Sequence, residues 1–66
     1  MSLMLALEDR VRGEFLEMPG LRLTPQQAAR LWALDRATSE SVLNRLASAG
    51  FLARTTQGAY LRTSVA

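Results

Sequence analysis

Neither cysteine nor histidine occurs among the 66 residues of this chain, so its fold has to hold without a disulfide or a cysteine- or histidine-bound metal. The first absence excludes a disulfide framework, a thiolate metal site and a cysteine nucleophile. The second removes the usual general base and the commonest metal ligand. A chain of this length supports one domain around one small core, close to the lower limit for folding without staples. With 48% hydrophobic and 21% charged residues, it has the composition of a folded domain and not of a disordered tail. The placing of the apolar residues along the chain therefore decides the fold.

Met4, Leu7, Val11, Phe15 and Met18 recur at spacings of three and four, which predicts a helix over Leu3–Met18 with these residues on its core face. Glu8, Asp9, Glu14 and Glu17 read as the solvated face, with Glu8 and Arg12 as a favourable i,i+4 pair. Pro19-Gly20 ends the helix, proline by disfavouring helix in the residue before it and glycine by accepting positive φ. Leu3, Leu5 and Leu16 fall off the stripe, as peripheral core or as a small dimerisation patch. Leu21-Arg22-Leu23 alternates like a short edge strand.

Thr24-Pro25-Gln26-Gln27 is a helix start, with Thr24 and Gln27 spaced for a capping box and Pro25 suited to the first turn. That second helix runs to about Ala33, with Ala28, Leu31, Trp32 and Leu34 apolar. Asp35 caps a third helix that runs to about Ala49, where Gly50 is the expected left-handed stop. Phe51–Thr55 and Ala59–Thr63 are strand-like runs around Thr56-Gln57-Gly58, a hairpin signal. The expected class is α+β, mainly α, in the order helix, strand, helix, helix, strand, strand with a small antiparallel sheet.

On the third helix Ser39, Val42, Leu43 and Leu46 share one face, while Ala37, Ser41, Asn44 and Ser48 share the other between Glu40 and Arg45. A small, polar and nearly uncharged outer face suits close approach to another surface better than it suits bulk solvent. Charge is also unevenly placed. Residues 1–18 carry two arginines against four acids, a net of −2, and residues 19–66 carry six arginines against two acids, a net of +4.

Two short helices joined by a tight turn and followed by a hairpin resemble a winged helix-turn-helix domain. Ala29 stands where that motif wants a small residue at the helix crossing, and Leu34 and Val42 fill its later apolar positions. Ala33 stands where glycine is commonest in the turn, and Ser39 where valine or isoleucine is usual. The passage Leu46-Ala47-Ser48-Ala49-Gly50-Phe51-Leu52, then Gly58-Ala59-Tyr60, is similar to the helix-to-wing junction of MarR-like and IclR-like DNA-binding domains. Residues 17–38 also look like part of certain short bacterial proteins, a likeness that implies no activity. The winged-helix resemblance takes 1–66 as a single domain, with a leading helix at 1–18, the helix-turn-helix at 24–50 and the wing at 51–63.

What the resemblance implies is binding to double-stranded DNA, as a transcriptional regulator or a DNA-associated accessory protein. Helix 35–49 would enter the major groove and the 51–63 wing would touch the backbone. The groove-facing set would be Arg36, Ala37, Thr38, Glu40, Ser41, Asn44 and Arg45, with Arg54 and Arg62 added from the wing. Asn44 has the chemistry for a bidentate pair with adenine and Arg36 or Arg45 for one with guanine, while Thr38 and Ser41 are phosphate donors. Glu40 repels phosphate. Each residue also has a purely structural use. Arg45 suits a solvated helix flank, Arg54 and Arg62 suit strand edges, Asp35 suits a cap, and Trp32 and Tyr60 suit core packing.

The alternative is a winged helix that docks a protein or oligomerises without DNA, for which the +2 total, Glu40 and the apolar Leu3, Leu5 and Leu16 speak. A homodimer through the leading helix fits either use. Catalysis is not expected, because no nucleophile–base pair and no glycine-rich phosphate loop is present. No cofactor, metal or small-molecule ligand is expected either. The apolar start is too short for a signal peptide or a membrane helix, so a cytoplasmic protein without a membrane partner is expected. With no sensing domain after the wing, binding is expected to be constitutive, partner-dependent or governed by concentration.

Overall fold

A computed structural model describes residues 3–63 as α1 (Leu3–Glu17), β1 (Arg22–Leu23), α2 (Pro25–Leu31), α3 (Arg36–Ser48), β2 (Leu52–Arg54) and β3 (Tyr60–Arg62). The strands form one antiparallel sheet in the order β1-β3-β2, with Leu23 opposite Tyr60 and Ala53 opposite Leu61. This is a mainly helical α+β arrangement in the expected order of elements.

The element ends follow from local chemistry. Thr24 accepts from the Gln27 backbone N–H at 3.2 Å while the Gln27 side chain accepts from the Thr24 N–H at 3.0 Å, a complete capping box with Pro25 in the first turn. Asp35 accepts from the Thr38 N–H at 3.2 Å and so opens α3. At the end of α3, Gly50 (φ 83°) lets its own N–H reach the Ala47 carbonyl and the Phe51 N–H reach that of Leu46, both at 3.0 Å. That pair of bonds is a Schellman stop. In the hairpin, Thr55 donates to the Ala59 carbonyl at 2.8 Å, and the loop 56–58 between them ends on the left-handed Gly58.

Ten buried side chains make the core: Val11 and Phe15 from α1, Ala28 and Trp32 from α2 and its cap, Val42, Leu43 and Leu46 from α3, and Leu23, Leu52 and Tyr60 from the sheet. Phe15 meets Trp32 edge to face at 6.4 Å between ring centroids.

Several expectations are corrected. Met18 lies beyond the last turn of α1 and is exposed, so the core stripe ends at Phe15. Glu8 is buried rather than solvated, because it lies three residues from Val11 and seven from Phe15, on the core-facing side. It leaves Arg12 to pair with Asp9 at 3.6 Å. Gly20 does not adopt positive φ among the described residues; the Leu21 N–H closes the turn on the Met18 carbonyl at 2.9 Å instead. The strands are shorter than 51–55 and 59–63, since Phe51 belongs to the helix stop and Thr55 with Ala59 to the loop closure.

Candidate nucleic-acid interface

The outer face of α3 is built as its periodicity dictates. Ala37, Ser41, Asn44 and Ser48 are exposed along one ridge, opposite the buried Ser39, Val42, Leu43 and Leu46. Beside this ridge a cleft of about 380 Å³ opens between the start of α2, α3 and the hairpin loop. Arg36, Glu40 and Asn44 line it from α3, Arg54, Gln57 and Tyr60 from the hairpin, and Thr24 and Gln26 from the start of α2. Arg36, Asn44 and Arg54, three of the residues singled out by sequence, thus share one concavity.

The other cations of that set lie elsewhere. Arg45 turns toward α1, where its Nε donates to Glu8 Oε2 at 2.9 Å; the arginine side chain is 54% exposed and the glutamate 12%. Arg62 stands with its guanidinium 6.0 Å from the centre of the Phe51 ring, and Arg12 of α1 approaches the same ring at 5.5 Å. The four arginines of the expected interface are therefore divided among the cleft, the α1–α3 seam and the Phe51 junction.

Several polar groups are already engaged. Arg36 Nε donates to Glu40 Oε1 at 3.1 Å across one turn of α3, and both side chains remain exposed to water. The Thr38 hydroxyl donates to Asp35 Oδ1 at 2.5 Å, so it completes the cap instead of standing free for a phosphate. Those Thr38 donors, the hydroxyl first and then the backbone N–H, hold the Asp35 carboxyl below its ordinary value. The buried Tyr60 hydroxyl donates to Asn44 Oδ1, which ties the hairpin to the middle of α3. Among the described residues Arg54 has no acidic partner.

Sequence reasoning did not find the Glu8–Arg45 pair, the Tyr60–Asn44 bond or the two guanidinium groups at Phe51. For Glu8 a signal was present in its spacing to Val11 and Phe15. For the other two, partners meet only once the sheet has brought the hairpin against the helices, and no local spacing announces that.

The described residues contain no grouping of three or more acidic side chains arranged to hold a metal ion. No helix among them is long and apolar enough to cross a membrane. No protein-family model, no curated protein and no solved structure matches the chain. Its class is therefore given by the architecture of the described residues, three helices on a three-stranded antiparallel sheet with a polar cleft between α3 and the hairpin.

Proposed function

We propose that the chain is a winged helix-turn-helix module that binds duplex DNA, as a transcriptional regulator or a DNA-associated accessory protein. In this reading α2 and α3 are the helix-turn-helix, the hairpin is the wing, and α3 lies in the major groove while Arg54 reaches the backbone. The observation that carries it is the exposed ridge of Ala37, Ser41, Asn44 and Ser48, made of side chains small enough for close approach, with Arg36 and Arg54 in the cleft beside it. The +4 balance of residues 19–66 supplies the attraction to phosphate. Fluorescence anisotropy with a mixed-sequence duplex is the test. Binding is expected at about 50 mM salt and is expected to weaken steeply by about 200 mM, as counterion release requires. No binding at the lower salt, or binding without a salt slope, overturns the proposal. Arg36→Glu combined with Asn44→Ala is expected to abolish binding while the fold persists.

A second reading is favoured by a different observation. Leu5 and Leu16 are exposed on α1, and Leu3 stands almost fully in solvent at 90%. A module that docks a protein or a second copy through α1 accounts for them without any DNA contact. Light scattering separates the two. Leu5→Asp with Leu16→Asp is expected to lower the mass of any dimer formed through α1, and an unchanged mass removes that surface from consideration.

A further inference from the structure

Tyr60 is almost entirely buried, so its phenolic hydrogen needs an acceptor inside the protein, and Asn44 Oδ1 is the group that takes it. Asn44 itself is exposed at the centre of the outer ridge of α3. Holding the amide oxygen inward turns the Nδ2 group, with its two hydrogens, toward whatever lies against the helix. We infer that Asn44 is a specificity-determining residue that Tyr60 fixes as a hydrogen-bond donor, so that α3 reads guanine at this position in preference to adenine.

The discrimination follows from the two base edges. In the major groove adenine offers an acceptor at N7 and a donor at N6, so an asparagine that pairs with it twice must present its oxygen as well as its nitrogen. Guanine offers two acceptors, N7 and O6, which match an outward-facing amide nitrogen. To serve adenine, Asn44 has to share or withdraw the oxygen that Tyr60 already uses. Withdrawal leaves a buried hydroxyl without a partner, a penalty incurred only for the adenine complex. The adenine pairing that the residue type alone suggests is thus disfavoured by its neighbour.

This inference rests on the DNA-binding proposal, and the test keeps the two apart. The full chain is used to select duplexes from a randomised pool, and the position whose preference disappears in Asn44→Ala is identified. There the wild-type chain is expected to prefer guanine over adenine by about tenfold. Tyr60→Phe, which frees the oxygen, is expected to bring that ratio to about one or to favour adenine. Asn44→Asp, which keeps an acceptor for Tyr60 but has no donors, is expected to lose the guanine preference whether or not Tyr60→Phe folds. A Tyr60 that acts only in packing would weaken every duplex equally and leave the ratio unchanged, and that result overturns the inference. So does a guanine preference that survives in Asn44→Asp, or a wild-type preference for adenine. A wild-type chain that binds no duplex overturns both proposals together.

Discussion

Ala33 sits at φ 53°, in the left-handed region, directly after the Trp32 cap of α2. The Leu34 N–H donates to the Ala29 carbonyl at 2.9 Å, so the turn between α2 and α3 is closed by the same six-residue bond that closes α3 on Gly50. At Gly50 the required conformation is free of side-chain strain, whereas at Ala33 the Cβ opposes it by about 1–2 kcal/mol. Ala33 is exposed and a glycine there would lose no packing. Allowing for the greater freedom of glycine in the unfolded chain, Ala33→Gly is expected to raise stability by roughly 0.5–1 kcal/mol, read from the urea midpoint. Ser39 offers a second such change. It is fully buried in α3 and its hydroxyl has no hydrogen-bond partner among the described residues. Removing that orphan polar group is expected to make Ser39→Ala more stable by about 1 kcal/mol, and a loss in the same denaturation series would show that the hydroxyl is in fact satisfied.

Among the elements, those whose limits are set by nearby residues were legible in the sequence. Thr24 with Gln27, Asp35 and Gly50 act within four residues of themselves, and α2 begins and α3 begins and ends where these residues put them. By contrast, α2 stops at Leu31, short of the expected Ala33, because Trp32 caps it and Ala33 turns left-handed. The core stripe of α1 was legible as a period, but its last member was not, because the proline after Met18 ends the helix before that residue can turn inward. Side-chain partners across elements were beyond reach, since Glu8 and Arg45 are 37 positions apart and meet only through the packing of α1 on α3. That pair predicts an asymmetry. Removing the arginine leaves a buried carboxylate without its partner, whereas removing the acid leaves an arginine already half in water. Arg45→Leu is expected to cost about 1–3 kcal/mol and Glu8→Gln less than about 1 kcal/mol, measured by thermal or urea unfolding. The cap of α3 adds a pH dependence. The Asp35 carboxyl titrates below its ordinary 3.8 in the folded chain, so its contribution is fully present above that value and is lost as the pH falls through the lowered one. Asn also caps helices, so the stability difference between wild type and Asp35→Asn is expected to shrink only below about pH 4, and a constant difference down to pH 2 would contradict the assignment.

At the scale of the whole molecule, charge is distributed so that α1 restrains the half that carries the cleft. The chain measures 33 × 25 × 20 Å along its principal axes, about four Debye lengths on the longest at physiological salt, so the exposed acids of α1 are screened from distant surface and act on the groups packed beside them. Glu8 acts most directly, because it holds Arg45 on the flank of the ridge that is proposed to face DNA. Each phosphate neutralised on duplex DNA adds about 0.9 to the slope of log affinity against log salt. Arg54 lines the cleft with no acidic partner among the described residues, so Arg54→Ala is expected to make the slope shallower by about 0.9. Glu8→Gln removes the acid that occupies Arg45 and leaves the side chains of the ridge untouched, so it is expected to steepen the slope by about 0.9 and to tighten binding at low salt. The two variants are therefore expected to move the same measurement in opposite directions. A Glu8→Gln chain with the wild-type slope would mean that Arg45 contacts no phosphate even when released, and that its place is structural, in the seam between α1 and α3.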